Sequence, residues 1–85
     1  MTRPLPAWRA RNRDRAMVLL HVLALVDVGA VWTPERVVAC EVRYAAWEAA
    51  LLMVLLERYG YLRRDGAEYG AYRLTSAGKR EAEGR

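Results

Sequence analysis

Thirteen of the fourteen basic residues in this chain are arginine, and five of them, Arg3, Arg9, Arg11, Arg13 and Arg15, fall in its first fifteen positions. Guanidinium groups at this density suit contact with phosphate oxygens, because each is permanently charged and presents a fork of donors. Only Asp14 opposes them, so the first fifteen residues carry +4, while the remaining seventy hold nine basic and nine acidic residues. The basic pI of 9.7 therefore belongs to the N-terminal end and not to the whole chain. A second cluster, Arg63, Arg64 and Arg73, stands nearer the C-terminus, and Arg43-Tyr44 lies between the two.

Residues that carry most enzyme chemistry are sparse. His21, the single histidine, sits among aliphatics with no serine or cysteine spaced to act as its nucleophile, and reads as a hydrogen-bonded structural histidine. The single cysteine, Cys40, excludes an intramolecular disulfide and a cysteine-rich zinc site, and reads as a small buried residue. The sequence has no Gly-rich phosphate loop, paired-carboxylate constellation or metal-ligand cluster. A non-enzyme with no cofactor, no metal and no small-molecule substrate is expected. The apolar run over residues 16–26 is broken by His21 and ends at Asp27 and Gly29, short of the roughly 20 residues a membrane span needs. No secretory signal is recognisable, and the expectation is a cytoplasmic protein without membrane contact.

The elements that must position these residues follow from caps and periodicity. Residues 1–11, with Pro4, Pro6 and arginines around Trp8, have no apolar period and are expected to form a flexible basic arm, leaving residues 12–85 as one domain. Asn12 or Asp14 can cap a first helix running to about Val28. Its apolar residues cover nearly the full circumference, which predicts burial on more than one side. Val31-Trp32 can form a short strand. Thr33-Pro34-Glu35 is a strong helix start, with a hydroxyl cap, a proline in the first turn and an acid at the positive end of the dipole. That second helix should span about 34–41, and after a break near Val42-Arg43 a third should span about 44–59. Gly60 supplies a left-handed C-cap. Asp65-Gly66 separates two short runs, 61–64 and 71–74, as a hairpin loop does. Thr75 caps a final helix. Tyr61, Tyr69 and Tyr72 are expected to pack the hairpin through cross-strand aromatic pairs.

Leu56-Glu57-Arg58-Tyr59-Gly60, the hairpin, and Arg73-Leu74-Thr75-Ser76-Ala77-Gly78 come in an order that resembles winged helix-turn-helix domains. The likeness is greatest to PadR- and MarR-type bacterial regulators, and it covers roughly residues 31–83. It implies an α+β winged-helix domain with a three-helix core, a two- to three-stranded antiparallel wing and a C-terminal helix. It further implies a homodimeric transcriptional regulator that contacts double-stranded DNA through the basic arm and the wing. The candidate DNA-binding residues are Arg3, Arg9, Arg11, Arg13, Arg15, Arg43, Tyr44, Arg63, Arg64 and Arg73. The competing expectation for Arg64 and Arg73 is pairing across the hairpin with Glu68 or Asp65.

The third helix departs from that pattern. At about 100° per residue, Ala49, Leu52, Met53, Leu56 and Tyr59 share a face suited to the core. The opposite face carries Trp47, Leu51, Val54 and Arg58, flanked by Ala50, Leu55 and Glu48. This is an apolar stripe that cannot supply the hydrogen bonds by which base edges are read, and Glu48 would repel phosphate. Three explanations compete. The face, with Trp47, Leu51, Val54, Leu55 and Arg58 as candidate interface residues, is buried by self-association or by a partner protein. Alternatively, the phase is rotated and the helix lies in a compact core. In the third, the helix docks on DNA through its N-terminal turn, using Arg43, Tyr44 and Trp47. The competing function is accordingly a protein–protein interaction module, of the kind a phage or mobile element would use against a host factor.

Overall fold

The computed structural model describes residues 7–66 and 70–84, with side chains from residue 11 onward. In chain order the elements are α1 (Ala7–Asp27), α2 (Pro34–Cys40), α3 (Ala46–Arg58), β1 (Leu62–Arg64), β2 (Tyr72–Leu74) and α4 (Ser76–Glu83). Among the described residues this is an α+β arrangement of four helices and one two-stranded antiparallel sheet.

The first helix begins at Ala7 and not at Asn12 or Asp14. Alanine and arginine are among the strongest helix formers, so the Ala-Arg segment propagates the helix back through the would-be capping residues. The helical part of the expected arm is therefore residues 7–11. Residues 1–6, Arg3 among them, lie outside the described residues, as does the side chain of Arg9. Burial on α1 follows one stripe: Ala16, Leu19, Leu20 and Leu23 are fully buried. Val18, Leu25 and Val26 stay exposed, so burial reaches less of the circumference than the apolar composition allows. An apolar circumference permits multiple contacts, but α3 and α4 pack against this helix and leave its third side open.

The cap signals act as their chemistry requires. The Thr33 hydroxyl accepts the Arg36 amide at 3.2 Å, and Pro34 fills the first turn of α2. Glu41, expected inside that helix, is its C-cap, and α3 starts at Ala46 without a side-chain cap. At the other end of α3, the Gly60 amide donates to Glu57 O and the Tyr61 amide to Leu56 O, both at 2.9 Å. This Schellman pattern requires a left-handed residue, and Gly60 supplies it with φ of 83°. Thr75 then joins two helix ends: its hydroxyl donates to Gly60 O at 2.6 Å and accepts the Gly78 amide at 3.0 Å.

The hairpin register pairs Leu62 with Leu74, Arg63 with Arg73 and Arg64 with Tyr72. The strand expected at Val31-Trp32 is reduced to a bridge in which Trp32 and Tyr72 exchange two backbone hydrogen bonds of 2.7 Å. Around that bridge lies the core: Trp32, Val37, Leu52, Met53, Leu56, Leu62 and Leu74 close against the α1 stripe. Tyr59 was grouped with the core face of α3, yet it is 43% exposed, because it sits on the C-cap turn where the helix has already departed from the core. Its ring meets Tyr61 at 6.4 Å between centroids, so this tilted aromatic pair bridges helix end and hairpin instead of crossing the strands. Tyr69 lies outside the described residues. Cys40, expected to be buried, is exposed on the last turn of α2, where no element packs over it.

Candidate interaction face on the third helix

The helical phase of α3 is as the 100° spacing predicts. Ala49, Leu52, Met53 and Leu56 turn inward, each at most 1% exposed. On the other side Trp47 is 72% exposed and Leu51 44%, with Arg58 exposed and Val54 half-buried. The rotated-phase explanation is thereby excluded. Leu55 is the exception among the candidate interface residues, since it packs against the core from the flank of the helix.

Beside this stripe runs a groove of about 390 Å³. Its lining comes from three places in the chain: Pro34 and Glu35 of α2, Ala46, Trp47, Ala50 and Val54 of α3, and Arg64, Gly70 and Tyr72 of the hairpin. Sequence reasoning found only the α3 contribution. Periodicity places residues on faces of one helix, and no spacing signal relates the start of α2 or the hairpin to that face.

Glu48 requires a correction. It is only 8% exposed, faces away from the groove, and forms an ion pair with Arg15 of α1. The acid therefore does not confront an incoming phosphate, and Arg15 is committed to neutralising a buried carboxylate. A buried charge without such a partner would be strongly destabilising.

Most other candidate DNA contacts have internal partners as well. Arg43 holds Glu41 in a fork of 3.0 and 3.1 Å. The Arg43 side-chain hydrogen bonds keep the Glu41 carboxyl below its ordinary pKa, and the same bonds raise that of the guanidinium. Tyr44 is half-buried against the core, and burial pushes its phenol upward in pKa. Arg73 donates to Asp65 at 3.3 Å and to Gly29 O at 3.2 Å, tying the hairpin to the turn after α1. Arg64 meets Glu57 at 3.3 Å. So the pairing expected for Arg73 is present with Asp65, while Arg64 reaches a residue of α3 instead of its own hairpin. Exposed pairs of this kind are worth about 0–1 kcal/mol and can be exchanged for a phosphate. Arg11, Arg13, Arg58 and Arg63 are exposed and have no acid paired with them among the described residues.

His21 accounts for its own ring: Nδ1 lies 2.7 Å from Met17 O, one helical turn away. A second groove of about 390 Å³ separates it from α4, lined by Ala24, Leu25, Val28, Lys79, Ala82 and Glu83. Among the described residues no group of three or more His, Cys, Asp or Glu side chains could hold a metal ion, and no helix is long and apolar enough to cross a membrane. Comparison with protein families, with characterised proteins and with solved structures finds no match to this chain.

Proposed function

We propose that the chain is a winged-helix domain used for protein association, docking through the outward face of α3. The order helix, bridge, helix, helix, hairpin, helix supports the winged-helix reading. The observation that carries the function is Trp47, 72% exposed beside Leu51 and a groove whose walls include Pro34, Ala50 and Tyr72. A large aromatic at the rim of an apolar concavity is the composition of an interface anchor, and a soluble monomer seldom leaves such a patch in water. Base readout through the same helix would need donors and acceptors where it presents tryptophan, leucine and valine.

Leu51→Glu tests this reading. The variant should keep its fold, with stability within about 0.5 kcal/mol of the parent because the side chain points outward. It should lose protein association while leaving affinity for a random-sequence duplex, measured by fluorescence anisotropy, unchanged. Loss of duplex affinity in this variant would mean that α3 enters a groove of DNA, and the docking function would be wrong.

A second reading, a DNA-binding transcriptional regulator, is favoured by Arg11, Arg13, Arg58 and Arg63, which are exposed and have no acid paired to them among the described residues. Contacts from α1 and the hairpin to phosphate would be independent of sequence and steeply dependent on salt. Arg63→Ala should then weaken duplex binding on every sequence alike and reduce the log–log salt slope by about 1. A slope unaffected by the substitution removes the hairpin from the contact.

A further inference from the structure

We infer that the groove beside α3 takes a short segment of a partner protein that presents arginine or lysine among apolar residues. This rests on the reading of α3 as a protein-docking face and names the chemistry of what docks there. The lining divides between α3 and a second unit, the start of α2 joined to the hairpin. Those two adjoin, since a Cβ built on Gly70 would lie 3.8 Å from Pro34 Cδ. Two charged residues line the groove, and they differ in what they meet. Arg64 is held by Glu57 at 3.3 Å, so its charge is already opposed. Glu35 is exposed, with no base paired to it among the described residues. The unopposed charge of the groove is therefore negative. Arg58 and Arg63, which have no acid paired to them among the described residues, are not part of its lining. Trp47 lines the same groove and is 72% exposed, so most of its indole is open to an incoming group. A guanidinium or ammonium is attracted to such a ring by its quadrupole, and Glu35 adds a full negative charge. The volume of about 390 Å³ is that of a small cleft, which one short segment fills.

Other occupants meet an obstacle here. The phosphates of a nucleic acid would approach Glu35 with like charge. An acidic segment would have to displace Glu57 from Arg64 and would still meet Glu35. A wholly apolar segment would strip water from the Glu35 carboxylate without replacing its hydrogen bonds, which is costly. A cationic, apolar segment gives that carboxylate a partner while covering Trp47, Ala50 and Val54. The exposed apolar residues of α1, Val18, Leu25 and Val26, offer neither an unopposed acid nor an aromatic ring beside them, and so select no partner chemistry.

Selection of random linear peptides, displayed on phage, against the immobilised full chain tests the inference. Enriched peptides should place arginine or lysine next to leucine, valine or an aromatic residue. A fluorescein-labelled synthetic peptide of the enriched sequence should bind about fivefold more weakly to Glu35→Gln. Trp47→Ala should weaken it by about tenfold or more. Both positions are exposed, so the helical circular dichroism should be retained in each variant. Glu35→Arg should reverse the preference, so that the same peptide with glutamate in place of its basic residue binds this variant better than it binds the parent. If Glu35→Arg disturbs the start of α2, Glu35→Gln, which keeps the shape of the side chain, carries the charge test alone. Enriched peptides that are acidic or uncharged, yet still need Trp47 and Leu51, overturn the inference and leave α3 as the docking face. A basic peptide whose affinity is unchanged in Glu35→Gln does the same. Peptides indifferent to both Trp47→Ala and Leu51→Glu overturn the inference and the docking reading together. Failure to enrich any peptide overturns the inference, and the association of Leu51→Glu then decides the docking reading by itself.

Discussion

Trp32→Ala is expected to remove about 3–5 kcal/mol, most of the stability available to a domain of this length. Trp32 is fully buried and is the largest such side chain in the core. Its ring also joins the end of α1 to α2. The indole N–H donates to Asp27 O at 3.3 Å, at the end of α1, and the Arg36 guanidinium of α2 stacks over the ring at 4.7 Å. Its backbone makes the two 2.7 Å bonds that attach the α1–α2 connection to β2. Truncation leaves a cavity lined by core side chains and removes one of the two donors to the Asp27 carbonyl, which keeps the Ala30 amide at 3.2 Å. Burial and cavity terms add in such a site, because the surrounding elements can relax only partly. Urea unfolding measures the effect directly: a midpoint shift equivalent to less than about 1 kcal/mol would show that Trp32 does not organise the core. Trp32→Phe, which keeps an aromatic ring but loses the donor, should fall between alanine and the parent.

Gly78→Ala is expected to cost at least about 3 kcal/mol, although alanine is the better helix former by about 1 kcal/mol. Gly78 sits in the first turn of α4, where an added Cβ would lie 2.2 Å from Tyr61 O and 3.0 Å from Tyr61 C. The obstacle is backbone, so no side-chain rotation relieves it. That carbonyl cannot easily retreat, because it accepts the Thr75 amide at 3.0 Å, and the Tyr61 amide is held by Leu56 O. To clear the clash α4 must move away from the α3–β1 turn, breaking the Thr75 contacts that span it. Gly29→Ala is the control: an added Cβ there meets nothing within 4 Å and the backbone is not left-handed, so a change within about 0.5 kcal/mol is expected. If thermal unfolding shifts equally for both variants, the close approach at Gly78 is not what sets its identity.

These two sites also show where the sequence was legible. The run from Arg73 to Gly78 could be read as strand, cap and helix, but only the packed structure explains the final glycine: it is there because α4 crosses the Tyr61 carbonyl. The caps at Thr33, Gly60 and Thr75 and the inward and outward faces of α3 were all readable in advance. Each depends on residues within one turn of one another, where local hydrogen bonds and the 3.6-residue period leave little freedom. The α3 contribution to the candidate face, Trp47, Leu51 and Val54, was legible for the same reason.

What tertiary structure alone decided involves residues far apart in the chain. Arg15 was grouped with a phosphate-binding arm, and packing of α1 on α3 gave it to Glu48. Arg64 found Glu57 and Arg73 found Asp65, leaving Arg63 with no paired acid among the described residues. Alternation along a strand does not reveal which neighbour an arginine will meet. Apolar composition around α1 predicted burial on more than one side but not which side stays open, and the number of neighbouring elements left Val18, Leu25 and Val26 exposed. The groove needed α2, α3 and the hairpin together before it could form. Sequence by itself determined where the elements begin and turn, because those are short-range choices of backbone geometry. Which charges are neutralised and which apolar surfaces stay open was settled only by the fold, because contact between distant residues depends on how whole elements pack.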